Sequence, residues 1–219
     1  YCVAEGIDLF MKGIIVSHDQ GKSFQKVRIF DEEGAELSDT DCHMKVFSDR
    51  VNSQLFYGFG DDFSMYISKD WGNTFYPAKT EGIPGGKMNF GLIDCANKTE
   101  IRGEAGKEGI FYLAAGAFCL WKLSFDDKKF TVRGQRITGE GESAFRMGLG
   151  LLHQDVDYRE DDKALYICGV IQNTYGFFRS FVEGKTWEKI NDDMQKFGDI
   201  NSIDGDSRKV GRFLIKMNV

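Results

Sequence analysis

The sequence predicts an all-β fold built from repeated units of four short antiparallel strands, and three observations carry that prediction. The first is a recurring octapeptide of the form S-x-D-x-G-x-[ST]-[FW]. It reads Ser17-His-Asp-Gln-Gly-Lys-Ser-Phe24, then Ser68-Lys-Asp-Trp-Gly-Asn-Thr-Phe75, then Ser180-Phe-Val-Glu-Gly-Lys-Thr-Trp187, where Val182 replaces the aspartate. A decayed copy, Ser124-Phe-Asp-Asp-Lys-Lys-Phe130, lacks the glycine and one residue. The leading serines step by 51, 56 and 56 residues, so four copies share nearly one period. The second observation is that the flanking strands repeat in step. The third is composition: 26 glycines against 2 prolines, with 19 Phe, 8 Tyr and 3 Trp, suit short strands joined by tight turns.

The strands of each unit can be assigned in order, A to D. Strand A reads His43-Met-Lys-Val-Phe47, Thr99-Glu-Ile-Arg102 and Asp155-Val-Asp-Tyr158. Strand B reads Leu55-Phe-Tyr-Gly-Phe-Gly60, Ile110-Phe-Tyr-Leu-Ala-Ala-Gly116 and Ala164-Leu-Tyr-Ile-Cys-Gly169, with Tyr57, Tyr112 and Tyr166 at one place. Strand C reads Gly13-Ile-Ile-Val16, Met65-Tyr-Ile67, Leu120-Trp-Lys-Leu123 and Gly176-Phe-Phe-Arg179. The octapeptide is then the C–D turn, and strand D follows it, as in Gln25-Lys-Val-Arg-Ile-Phe30. In that turn the Asp carboxylate can accept backbone N–H groups, the Gly can take positive φ, and the last aromatic can anchor the turn between sheets. The chain opens on a B-like strand at residues 1–6 and closes on an A strand near Ile200-Asn-Ser-Ile203 and a B strand, Arg212-Phe-Leu-Ile-Lys216. Only 191–199 tolerates a short helical turn; no long stretch keeps a 3.6-residue period.

A period near 50 residues with four strands per unit is the signature of a β-propeller blade. One such sheet cannot bury both faces alone, so neighbouring blades stack and cover each other. The blades fall roughly at 1–40, 41–95, 96–150 and 151–199, with closing strands at 200–219. About four blades are thus present, either a small closed ring or a piece of a larger propeller.

A formal charge of −6 and a pI near 5.2 argue against a general nucleic-acid or anionic-membrane binder. No apolar run is long enough to span a bilayer as a helix. The opening residues carry no basic n-region, so the chain is either not exported or stands without its leader. Cys2, Cys42, Cys95, Cys119 and Cys168 form no CxxC pair, and only His18, His43 and His153 could join them. A zinc site therefore has little support, and Cys2, Cys119 and Cys168 read as small buried hydrophobes. No metal or cofactor is expected. Phosphate-loop, G-x-S-x-G and sialidase arginine patterns are not recognisable.

The octapeptide resembles the Asp-box (BNR) repeat of sialidases, sortilin-type receptors and several glycan-degrading propellers. The C-terminal third is more specific. Tyr175-Gly-Phe-Phe-Arg-Ser180, Gly184-Lys-Thr-Trp-Glu-Lys-Ile-Asn-Asp-Asp193, Phe197-Gly-Asp-Ile-Asn-Ser202 and Gly205-Asp-Ser-Arg-Lys-Val-Gly-Arg212 follow one order. That order, with Ala105-Gly-Lys-Glu-Gly-Ile-Phe-Tyr-Leu-Ala-Ala-Gly116 upstream, resembles the C-terminal propeller of the glycoside hydrolase family 74 xyloglucanases. The resemblance implies a secreted enzyme of two seven-bladed propellers, with xyloglucan or a related β-1,4-glucan in the cleft between them. It implies inversion by one Asp from each propeller, with the carboxylates about 6.5–9.5 Å apart to admit a water. Nothing here matches the family's catalytic Asp motif, so no catalytic residue is assigned. The expected part is substrate cleft and C-terminal closure, with the N-terminal propeller as partner. The alternative is a non-catalytic Asp-box propeller that binds carbohydrate or protein.

Candidate substrate contacts follow from that resemblance. Sugars stack on aromatic faces, and B–C loops open on the binding face of a propeller. Phe63, Phe118 and Tyr175 lie in B–C loops, Phe197 follows the last octapeptide, and Asp61 and Asp62 could hold sugar hydroxyls. Asp19 and Asp70 are expected to serve the turns. Trp121 is expected to pack between blades, and the acidic run from Asp155 to Asp162 reads as a solvated A–B turn.

Overall fold

In the computed structural model, which describes residues 13–38, 44–60, 63–83, 99–151, 163–192, 194 and 200–217, every regular element is a β-strand. The chain divides into two compact units, residues 1–88 with 125–133 and residues 89–124 with 134–219.

In the first unit, β1 (Ile15–Val16) and β2 (Gln25–Lys26) pair across the first octapeptide. Next come β3 (Arg28–Ile29) and a four-stranded antiparallel sheet in chain order: β4 (Met44–Ser48), β5 (Phe56–Gly60), β6 (Met65–Ser68) and β7 (Thr74–Glu81). The register sets Phe47 opposite Tyr57, Tyr57 opposite Ile67, and Ile67 opposite Tyr76. Strand β5 is buried along its whole length, as a strand covered on both faces must be. Val16, Val27, Ile29, Phe56 and Phe75 form the core beside it. The outer strand β7 also pairs in parallel with β3, Ile29 opposite Phe75, and with Thr131–Arg133, Thr131 opposite Lys79. Outer strands of successive repeats thus share backbone hydrogen bonds.

In the second unit, β8 (Glu100–Gly103), β9 (Ile110–Ala114) and β10 (Leu120–Asp126) run antiparallel. Beyond β11 (Thr131–Arg136), the Ile137 amide donates to the Leu120 carbonyl at 2.8 Å. A second four-stranded sheet holds β12 (Ser143–Leu151), β13 (Lys163–Ile171), β14 (Thr174–Ser180) and β15 (Glu188–Lys189). A hairpin, β16 (Ile200–Gly205) and β17 (Phe213–Met217), follows. Strand β13 alternates between two cores. Leu165 and Ile167 join Tyr112, Leu120, Met147 and Phe178, whereas Ala164, Tyr166 and Cys168 join Phe177, Ile200 and Ile203. The strands β12 and β16 approach backbone to backbone. A Cβ at Gly205 would lie 2.6 Å from the Gly150 Cα, so only glycine fits there.

Two expectations change. Among the described residues the first strand of the last sheet is β12, paired with β13 from Ser143–Val170 to Leu151–Lys163; Asp155–Tyr158, the expected strand A, lie outside the described residues. Strand β12 ends at Leu151, beside the boundary expected at 150. Its alternation was hidden because Gly148 and Gly150 occupy positions where a hydrophobic side chain would have shown it. The decayed copy is also a different turn: Asp126 accepts the Lys128 and Lys129 amides at 3.1 and 3.2 Å, with no serine–glycine bond.

The three intact octapeptides fold alike. Gln20 and Gly21, Trp71 and Gly72, and Glu183 and Gly184 all take positive φ. The leading serine hydroxyl accepts the glycine amide each time, at 2.8, 3.0 and 2.8 Å. The last aromatics differ: Phe75 is fully buried, Trp187 half-buried and Phe24 exposed, so the first turn lacks the anchor expected of it.

Candidate functional site

The sequence candidates divide. Asp61, Asp62 and Phe197 lie outside the described residues, as does Asp193. In the first unit Phe63 takes φ of 66°, is 3% exposed and meets Phe59 edge-to-face with centroids 5.3 Å apart. Its ring face is therefore spent on packing. In the second unit Phe118 is half-buried in the β9–β10 turn. Tyr175, at the start of β14, is 50% exposed, and its hydroxyl lies 3.3 Å from the buried Cys168 sulfur. Cys119 and Cys168 are both buried free thiols, and Trp121 is buried with its indole N–H on the Phe118 carbonyl at 2.6 Å.

The turns that carry Phe118 and Tyr175 lean on one segment, residues 137–144. Gly116 and Ala144 exchange backbone bonds of 2.8 and 3.0 Å, and the Leu120 amide donates to the Thr138 hydroxyl at 2.9 Å. The Cys119 thiol, on a residue with φ of 78°, points to the Glu142 carbonyl at 3.0 Å. The Glu142 carboxylate takes the Gly139 amide at 2.5 Å and the Gln172 amide at 3.1 Å. The result is a ledge of two braced turns, one carrying the exposed residue Tyr175 and the other the half-buried residue Phe118. Flat apolar faces of that kind suit pyranose rings, and the exposed Gln172, Asn173 and Thr174 beside Tyr175 supply hydrogen-bonding groups.

A second polar group lies on β8, β12 and β16. Glu100 is mostly buried; it accepts the Met147 amide at 3.0 Å and pairs with Arg102. Arg146 donates through Nε to the Asn201 carbonyl at 2.7 Å. Burial pushes the Glu100 carboxyl above its ordinary range, against the opposing pull of Arg102 and Arg146. Sequence reading passed over Glu100 and Glu142. The alternation Glu100-Ile-Arg102 signals two charges on one strand face, but nothing local to Glu142 announces a partner thirty residues away.

The octapeptide aspartates do what the turn requires. Asp19 accepts the Ser23 amide at 2.8 Å and hydroxyl at 2.6 Å; Asp70 accepts the Thr74 amide at 2.9 Å and hydroxyl at 2.6 Å. The Ser23 bonds hold Asp19 down at about 2. Burial alone would push Asp70 up, but the bonds from Thr74 and Ser68 outweigh it and leave the carboxyl low. Such groups are poor proton donors near neutrality. Among the described residues, no three His, Cys, Asp or Glu side chains are grouped to hold a metal ion, and no helix is long and apolar enough to cross a membrane.

Comparison with known proteins decides the relationship. The xyloglucanase Xgh74A of Acetivibrio thermocellus is 36% identical over 177 residues, 79% of this chain and 18% of the relative. The chain is homologous to the glycoside hydrolase family 74 xyloglucanases. An oligoxyloglucan-reducing end-specific xyloglucanase of Emericella nidulans is 30% identical over 174 residues, 76% of this chain and 19% of the relative. The family 74 xyloglucanase of Xanthomonas campestris superposes with a TM-score of 0.66 at 25% identity, covering 94% of this chain and 25% of that one. The described four-stranded sheets are accordingly β-propeller blades. The chain spans less than a fifth of the length of these two curated relatives. No family model matches it.

Proposed function

We propose that this chain is part of a secreted family 74 hydrolase acting on xyloglucan or a related β-1,4-glucan. Residues 1–219 are read as part of its second propeller, with the octapeptides as Asp-box turns. Its contribution is one wall of the substrate cleft and C-terminal closure, facing an N-terminal propeller across the polysaccharide. The observation that carries this reading is 36% identity to a xyloglucanase over 79% of the chain. The ledge supports it, because an exposed Tyr175 and a half-buried Phe118 share one support in the aligned fold. No catalytic residue is assigned, since the aspartates that geometry defines best, Asp19 and Asp70, are committed to turns.

The test is incubation of the chain with xyloglucan, followed by assay of new reducing ends and electrophoresis through a xyloglucan gel. Retarded migration without new reducing ends is expected, with retardation lost in Tyr175→Ala. Hydrolysis by this chain alone would show a complete acid/base pair within it. Migration unaffected by xyloglucan would remove the cleft-wall reading.

A further inference from the structure

We infer that Glu142 is a positioning residue for carbohydrate binding, fixing the Tyr175 ring relative to the Phe118 ring; the inference rests on the cleft-wall reading above. Both turns contain strained backbone. The β13–β14 turn is the two-residue loop Gln172-Asn173, closed by Ile171 opposite Thr174, with φ of 48° and 61°. Positive φ at both central positions defines the tight hairpin turn that Asn and Gly favour, and Gln is a poor fit for it. The β9–β10 turn places Cys119 at φ of 78°. Each turn is braced at its strained residue, and both braces end on Glu142.

The two braces differ in kind. Toward Phe118, Glu142 offers its backbone carbonyl to the Cys119 thiol at 3.0 Å. Toward Tyr175, it offers one carboxylate oxygen to the Gln172 amide at 3.1 Å, while the other holds the Gly139 amide at 2.5 Å. Hydrogen bonds to a carboxylate are stronger than those between neutral groups. The arrangement is crowded by design of the chain: a Cβ at Gly139 would lie 3.2 Å from Glu142 Oε2. A side-chain change at 142 therefore frees the Tyr175 turn and leaves the Phe118 turn attached. A ligand long enough to touch both rings senses that change; a ligand touching one ring does not.

The experiment compares the chain with Glu142→Ala and Glu142→Gln, using xyloglucan oligosaccharides of one and two repeating units in calorimetric titration. The native chain is expected to gain affinity as the ligand lengthens. Glu142→Ala is expected to lose most of that gain, binding the longer ligand about tenfold more weakly, while its affinity for the shorter one changes little. Glu142→Gln keeps one acceptor oxygen and is expected to fall between them. Amide exchange gives a readout that a general structural role would not move: Gln172 exchanges faster in Glu142→Ala, while Gly116 and Ala144 keep their protection. If the native chain binds and all three proteins show the same gain with length, the positioning role is overturned alone. If the native chain binds neither oligosaccharide, the cleft-wall reading falls with it. Uniform acceleration of exchange across the sheet would mark Glu142 as a stability residue and overturn the inference.

Discussion

The second octapeptide, Ser68–Phe75, and the third, Ser180–Trp187, make the same turn with different means. Both have the serine-to-glycine bond and two successive positive φ values. The Asp70 carboxylate accepts two bonds from Thr74 and one from Ser68; the Val182 side chain adds none and lies exposed on the surface. The strands that follow differ as well. β7 runs for eight residues and takes parallel partners, whereas β15 runs for two. Serine and glycine are thus sufficient to set the path of the turn. The aspartate ties the exit of the turn to its entry and aims the outer strand.

That contrast can be broken from either side. The largest effect is expected for Asp70→Ala, which leaves the Thr74 amide and hydroxyl without their acceptor and should destabilise the first unit by about 2 kcal/mol. Urea unfolding followed by the fluorescence of Trp71 would measure it, and an unchanged midpoint would mean the aspartate is dispensable. Acid should reproduce part of the loss. A carboxyl held below its unfolded value of 3.8 stabilises the fold above that pH, and the contribution disappears as pH falls through the folded value. The stability gap between the native chain and Asp70→Ala should therefore narrow below about pH 4 and stay constant above pH 6. Val182→Asp is the converse change and should place a carboxylate within reach of Thr186, raising stability by about 1 kcal/mol and lengthening β15. Amide protection at Glu188 to Ile190 would report that lengthening. The smallest effect is expected for Asp19→Ala, because the terminal ring of its turn, Phe24, is exposed where Phe75 is fully buried.

The comparison also explains what was legible in the sequence. Turn chemistry is local, so the octapeptides, their glycines and the neighbouring C strands could be read directly. The strand B tyrosines were visible as a repeat, but not their partners. Tyr57 donates to the buried Asp49 at 2.8 Å and Tyr112 to the buried Glu104 at 3.1 Å, each acid eight residues earlier. The buried Tyr166 hydroxyl has no partner among the described residues, and the residue eight places before it lies outside them. Strand β12 was missed because its glycines serve a close approach to β16, which is set by packing between repeats. Phe63 looked like Phe118 in its loop. Its burial follows from a contact with Phe59 that a loop position does not reveal. The Glu142 ledge joins residues 20 to 30 positions apart and has no local signal.

The most direct test of the account is titration of xyloglucan into the chain and into Tyr175→Ala, at matched thermal stability. Saturable binding by the native chain, lost or weakened at least tenfold in the variant, is the predicted result; about 1.4 kcal/mol for one stacked ring is ordinary for such a contact. Binding of equal strength in both proteins, or none in either, would contradict the claim that this face of the propeller holds the polysaccharide.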